Sequence, residues 1–240
     1  MNDSFKIPQN QICILIASDY EWEYTKKYFS ISAANSTPLG EWFCQSFLEV
    51  PVTFFHTGWG KISAAASTQY VIDLFRPEFL INIGTCGGFQ GRIEKNDLVL
   101  ATKTITYDIF EKISDPKTAI EYYISETDWR ILPETFAKRF KREAIASGDS
   151  DIDPKDIKGF IEKYDVSVAD WESSAIAFVA KKNRRRILIL RGVSDLVSET
   201  SGEVYGSEEN FFLGVRAVLD KIIPILPEMI SILLSDSGFK

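Results

Sequence analysis

Histidine is almost missing from this sequence: His56 is the only one among 240 residues. A His-rich metal site is therefore excluded. Cysteine is scarce too, with Cys13, Cys44 and Cys86 far apart, odd in number and without C-x-x-C spacing, so neither a zinc site nor a disulfide framework is implied. Positive charge is in deficit, 27 Lys and Arg against 34 Asp and Glu for a net charge of -7. That balance excludes a general nucleic-acid or membrane-surface binder. The one compact basic run, Lys181 to Arg186 (KKNRRR), reads as a helix C-terminus complementing the helix dipole. Apolar runs are too short and too interrupted to span a bilayer, and the start Met1-Asn2-Asp3-Ser4 lacks a secretion-signal pattern. Neither the G-x-G-x-x-G fingerprint nor a G-x-x-x-x-G-K-[ST] loop occurs, so no nucleotide cofactor is implied. The expectation is a cytoplasmic protein without cofactor, metal, nucleic-acid or membrane partner.

The apolar content of 45% is enough for a sizeable core, and the length suits one large α/β domain, residues 1–240 with about 12–235 structured. Short β-rich runs alternate with amphipathic stretches. Strands are expected at Ile12–Ala17, at Glu41–Val50 and Val52–His56 joined through Pro51, at Phe79–Ile83, Asp97–Thr106, Val166–Ala169 and Ile187–Val193. Helices are expected at Asp19–Phe29, Ile62–Phe75, Ser173–Lys182 and from Ser207 onward, the last broken near Pro224 and Pro227. Asp108 to Pro133 has no clear period.

Open α/β sheets place ligands at strand ends, and four such ends carry reactive groups: Asp19-Tyr20-Glu21, Gly84-Thr85-Cys86-Gly87-Gly88, Asp170-Trp171-Glu172 and Arg191 to Asp195. Together they offer carboxylates, one arginine and a flexible backbone, a set suited to acid–base chemistry. Asp195 follows an apolar strand; it is either a buried acid with a raised pKa or a helix N-cap. Glu172 opens a helix of small residues, where it either accepts two sugar hydroxyls or simply complements the dipole. Glu21 is open to the same two readings. The glycine-rich turn lets backbone amides approach a ligand. As isolated residues, Cys86 and His56 read as structural.

In order and spacing these motifs resemble the nucleoside phosphorylase/nucleosidase superfamily, and most of all the 5'-methylthioadenosine/S-adenosylhomocysteine nucleosidases. The matching stretches are IASDYE, HTGWGKISAAAS, INIGTCGGF with KNDLVLATKTITYD, ASGDSDI, VADWESSAIAFVA and ILILRGVSDL, which span residue 12 to about 200. The resemblance implies a three-layer α/β/α fold around a mixed, partly barrel-like central sheet. It implies that Asp195 protonates N7 of a departing purine with Ser194 orienting it, that Glu172 binds the ribose hydroxyls, and that Glu21 activates the attacking water. Arg191 and Thr85 would line the pocket around that water, and Trp171, Cys86, Gly87, Asp151 and Ile152 would contact the substrate. Relatives of this kind are homo-oligomers, a dimer being favoured here.

Two features point to water rather than phosphate. Related phosphorylases carry an arginine just before the glycine-rich turn, where this chain has Asn82-Ile83-Gly84, and their early Gly-Asp phosphate loop is replaced by Ser18-Asp19. The sequence departs from the nucleosidases as well: Asp151 stands where an aromatic residue packs on adenine, Trp171 replaces a methionine beside the ribose, and Asp108 to Arg142 does not align. The alternatives are a phosphate-dependent purine nucleoside phosphorylase, a non-catalytic nucleoside-binding protein on the same fold, and an α/β protein whose strand-end carboxylates are only caps.

Overall fold

In the computed structural model, which describes residues 11–113 and 115–236, the first apolar run forms β1 (Ile12–Ile16), buried at every position. Burial on both faces is the condition of a central parallel strand. Because side chains alternate, Ile12, Ile14 and Ile16 enter one apolar cluster while Cys13 and Leu15 enter another. The remaining strands are β2 (Asn35–Thr37), β3 (Gly40–Phe47), β4 (Val50–His56), β5 (Phe79–Phe89), β6 (Leu98–Thr106), β7 (Ser125–Glu126), β8 (Lys141–Ser147), β9 (Val168–Asp170) and β10 (Arg186–Val197). The helices are α1 (Asp19–Tyr28), α2 (Gly60–Phe75), α3 (Pro116–Tyr123), α4 (Glu134–Ala137), α5 (Ile157–Tyr164), α6 (Ser173–Lys182), α7 (Glu208–Ile222) and α8 (Leu226–Asp236).

The ten strands form one mixed sheet in the order β10-β6-β8-β9-β5-β1-β4-β3-β2, with β7 on β6. A further pairing of β10 with β5 closes the first five of these strands into a ring, which is the barrel-like part of the sheet. Trp22 of α1 with Val215, Val218 and Leu219 of α7 and Met229 and Leu233 of α8 covers one face. Ala64, Val71 and Phe75 of α2 with Ile176, Ala177 and Ala180 of α6 covers the other. Helix, sheet and helix layers follow, as the resemblance implied.

Several expectations change. The glycine-rich segment is strand, not turn: Gly84 to Phe89 continue β5 and pair with Arg191 to Val197 of β10. Ser194 and Asp195 therefore lie inside β10, and Asp195 is not a helix cap. Pro51 sits within β4 opposite Ser46, and the turn is Leu48-Glu49, both at positive φ. The proline is tolerated there because β1 begins to pair with β4 only at Thr53, leaving Pro51 on a locally open edge. β8 escapes the sequence pattern because its first half is charged and partly exposed (KREA) and only Ile145 to Ser147 are buried. The irregular stretch contains α3 and β7. The C-terminal helix breaks where expected, α7 and α8 flanking a 3-10 turn at Ile223–Ile225. Lys181 and Lys182 close α6. The reading of Met1-Asn2-Asp3-Ser4 lies outside the described residues. Among the described residues no helix is long and apolar enough to cross a membrane.

Candidate active site

A cleft of about 560 Å³ opens beside the C-terminal halves of β5 and β10, the start of α1, the β9–α6 turn and the segments 150–152 and 204–208. Its inner end is built on strands. Ser18 and Glu21 form a capping box at the start of α1, which turns the glutamate back toward the sheet. Glu21 Oε2 accepts from the Ser18 amide at 3.2 Å. Its Oε1 accepts from the Thr85 amide at 2.6 Å and the Thr85 hydroxyl at 2.8 Å. Glycine at position 84 makes this approach possible. A Cβ there would fall on Arg191 Nη1 and within 2.7 and 2.8 Å of the two Glu21 oxygens.

Arg191 was expected to line the pocket, but it lies one layer behind the cleft wall and is 1% exposed. A guanidinium buried this deeply requires partners. Its Nε is 2.9 Å from Asp170 Oδ2 and donates to Ser173 Oγ at 3.1 Å, and its Nη2 donates to Asn82 Oδ1 at 2.7 Å. Asp170 also accepts from Ser147 Oγ at 2.6 Å and from the Ser173 amide and hydroxyl. Asn82, which marks the missing arginine in the sequence, donates to the Leu15 carbonyl at 2.9 Å. It thus ties the buried cation to the sheet.

Asp195 is 5% exposed, and Ser194 Oγ donates to its Oδ1 at 2.6 Å. Consecutive residues of a regular strand point to opposite faces. Here the register with β5 jumps from Val193–Cys86 to Asp195–Gly87, and the bulge leaves Ser194 as the extra residue whose hydroxyl can meet its neighbour. Burial raises the Asp195 pKa above the ordinary aspartate range, against the opposing hydrogen bond from Ser194.

Glu172 is the N-cap residue of α6 but makes no side-chain cap bond there. Its Oε1 instead accepts from the Gly60 amide at 2.9 Å. α2 starts after Trp59, a residue unable to cap. Its free amides are met by Glu172 at Gly60 and by Asp149 at Lys61, 2.7 Å. Burial pushes the Glu172 carboxyl up to about 8, with Asp170 adding to the effect and Arg191 opposing it.

Six acidic residues line the cleft: Glu21, Asp151, Asp170, Glu172, Asp195 and Glu208. Among the described lining residues there is no Lys, Arg or His. Lys61 stands nearby but is paired with Asp108 and Asp149. The structure thus brings Glu21, Thr85, Cys86, Gly87, Asp151, Ile152, Trp171, Glu172, Ser194 and Asp195 onto one cleft and leaves only Arg191 behind it. Burial raises the Cys86 thiol pKa, and its Sγ faces the Gly192 carbonyl at 3.6 Å. His56 stacks on Trp22 with ring centroids 5.4 Å apart. Among the described residues no group of three or more His, Cys, Asp or Glu side chains is placed to hold a metal ion. Sequence reasoning did not assign Asp170 its buried ion pair, although it lies in the Asp-Trp-Glu motif. It also missed Tyr107 and Tyr205, which line the cleft from segments without a periodic signal.

A mixed sheet partly closed into a barrel, layered by helices and opening on carboxylates, defines a nucleoside phosphorylase-like α/β protein. Residues 11–219 match the model of the phosphorylase superfamily, and the chain belongs to that superfamily. It is 28% identical to a 5'-methylthioadenosine/S-adenosylhomocysteine nucleosidase of Bacillus velezensis over 65% of this chain and 73% of that protein. It is 26% identical to a nucleosidase of the same name from Buchnera aphidicola over 91% of this chain and 97% of that one. The fold is similar to the crystal structure of the Helicobacter pylori enzyme of that name, complexed with an aminopyrrolopyrimidine pyrrolidinol, at a TM-score of 0.78 and 21% identity over 92% of this chain and 99% of that one.

Proposed function

We propose that this chain hydrolyses the N-glycosidic bond of a purine nucleoside, with 5'-methylthioadenosine or S-adenosylhomocysteine as the leading substrates. The observation that carries the reading is the acidic cleft, with six carboxyl-bearing residues and no cation among its described lining residues. Such a wall repels a phosphate dianion and favours a sugar that becomes cationic as its bond to the base breaks. Asp195, whose pKa is raised by burial, holds the proton that it passes to N7 of the purine as the C1'–N9 bond cleaves. Glu172 takes the ribose hydroxyls. Its strong demand for a proton, with a pKa pushed up to about 8, is the same demand that a developing oxocarbenium ion meets. Water attacks C1', and Glu21, oriented by Ser18 and Thr85, takes its proton. The products are the free base and the free sugar. Asp195 ends as a carboxylate and Glu21 as a carboxylic acid, and solvent restores both.

The remaining roles follow from position. Trp171 flanks the ribose, Cys86 and Gly87 present backbone, and Ile152 and Asp151 meet the base. Arg191 acts through Asp170 and Asn82 by fixing the strand ends, and not by touching water. We also read the chain as one domain working in the cytoplasm as a homo-oligomer, a dimer in the leading reading. Exposed Trp59 and Ile62 at the start of α2, with Phe110 and Ile113 nearby in sequence to Asp108, which Lys61 holds, support self-association.

The test is release of free base from 5'-methylthioadenosine in phosphate-free buffer, repeated with phosphate added. Equal rates with free sugar as co-product are expected. Strict phosphate dependence would place the chain among the phosphorylases, and binding without release of base would leave it a nucleoside-binding protein.

A further inference from the structure

The only histidine of the chain, His56, ends β4 and stands outside the wall of the cleft. Parallel pairing sets it opposite Ile16, the last residue of β1, where the chain turns into α1 and delivers Glu21. Its Nε2 donates to the Ala17 carbonyl at 3.1 Å and lies 3.2 Å from Asp19 Oδ1. Ala17 and Asp19 are the two neighbours of Ser18, whose amide holds Glu21 Oε2. The imidazole also stacks on Trp22, the residue after Glu21, with the ring planes 7° apart. Trp22 is buried and is fixed at its far edge, where Nε1 donates to Glu41 at 3.1 Å. His56 thus grips the chain on both sides of Ser18 and again just past Glu21.

The stack by itself does not call for a histidine. Phe54 and Phe55 precede it on β4, and a third phenylalanine would present the same flat face to Trp22. What the imidazole adds is one N–H directed at the carbonyl just past the end of β1. Burial holds the ring pKa below the ordinary histidine range, against the opposing pull of Asp19, the Ala17 carbonyl and Glu41, with Lys26 lowering it further. At neutral pH the ring is therefore uncharged, and its single proton sits on the nitrogen that faces Ala17.

We infer that His56 is a positioning residue for Glu21, locking the β1–α1 turn so that the carboxylate faces the attacking water. The inference rests on the nucleosidase reading, in which Glu21 takes the proton of that water. Attack and proton transfer require atoms held in near-attack geometry, and a displacement of about 1 Å costs about 10²-fold in rate. Ser18 supplies one of the donors to Glu21, and a turn released on both sides of Ser18 lets donor and carboxylate drift together. In the same reading the base and the ribose are held from elsewhere, by Asp195 on β10 and Glu172 at the start of α6. Loss of the lock is therefore a loss of kcat and not of substrate affinity.

The experiment measures kcat and KM for release of base from 5'-methylthioadenosine in the wild type, His56→Phe, His56→Met and His56→Gln, and repeats the first two substitutions in a Glu21→Gln background. Phe keeps the stack and Met keeps bulk, and neither donates; Gln restores an N–H at the reach of Nε2. Both variants without a donor are expected to lose about 10–10²-fold in kcat with KM within about twofold, and His56→Gln to recover most of that loss. In the Glu21→Gln background they are expected to cost nothing further, because the group that His56 positions is gone. A residue that only stabilised the fold would multiply the two losses. Wild-type kcat in His56→Phe and His56→Met, no recovery in His56→Gln, or multiplied losses in the double variants each overturn the inference while leaving hydrolysis standing. Wild-type kcat in Glu21→Gln removes Glu21 from the mechanism, and the inference with it. Failure of the wild type to release base overturns the nucleosidase reading itself.

Discussion

The two ends of the cleft are built differently. At the inner end, Glu21, Asn82, Thr85, Asp170 and Arg191 are all at most 9% exposed, lie on or against strands, and are fastened by short hydrogen bonds. At the mouth, Asp151, Tyr205 and Glu208 are exposed and come from loops or a helix start. The difference teaches a division of labour. Reacting atoms must be held to within fractions of an ångström, which packed strands provide. Choice of substrate tolerates looser placement, and loops can change without disturbing the core.

The comparison breaks most visibly if the inner end is disabled. On the proposed mechanism Asp195→Asn removes the proton for N7 while keeping the shape of the side chain, and kcat is expected to fall by about 10²–10⁴-fold with nucleoside binding retained. Single-turnover release of base measures this, and near wild-type turnover would remove Asp195 from the mechanism.

Gly84→Ala tests whether the inner end is as tightly closed as its contacts imply. The added methyl would fall on Arg191 and the Glu21 carboxylate. Overpacking of this kind costs about 1–3 kcal/mol, so a lower Tm is expected together with a large loss of kcat. A variant of unchanged Tm and activity would show that the wall yields.

The protonation of Glu172 gives a third test. Its folded-state pKa, about 8, lies above the unfolded value. The stability it contributes is therefore fully present below the unfolded pKa and is lost as pH rises through about 8. Glu172→Gln, which has no charge to bury, should be more stable than the wild type at pH 8 and lose that advantage at pH 5, while losing activity at both. Thermal melts at the two pH values check the sign.

The smallest effect belongs to the mouth. Tyr205→Phe removes the bond from the 204–208 segment to the Ile152 carbonyl but leaves the ring. A partly buried hydrogen bond of this sort contributes about 1 kcal/mol, so KM is expected to change by no more than about fivefold with kcat nearly constant. A kcat loss approaching that of Asp195→Asn would erase the distinction between the two ends.

How much of this was readable in advance differs from residue to residue. The apolar run at Ile187 to Val193 announces a buried strand by local pattern, whereas Ser194-Asp195 after it reads locally as either a buried acid or a helix N-cap, and only the resemblance marks it as a site. The bulge that turns Ser194 onto Asp195 depends on the register with β5, and no local signal specifies register. Gly84 to Gly88 looked like a turn because glycine permits one; pairing with β10 makes it a strand. β8 was hidden because its exposed, charged half masks the buried one.

The sequence by itself determined the layered α/β class, the superfamily to which the motifs belong, and the set of acidic residues available for chemistry. These follow from composition, period and motif order, which are properties of neighbouring residues. Tertiary structure alone decided that Arg191 stands behind the wall with Asp170 and Asn82, and that Glu172 caps a helix other than its own. Each of these is a contact between residues at least 21 positions apart. Such contacts are set by the burial of charge and by strand pairing, and a linear pattern encodes neither.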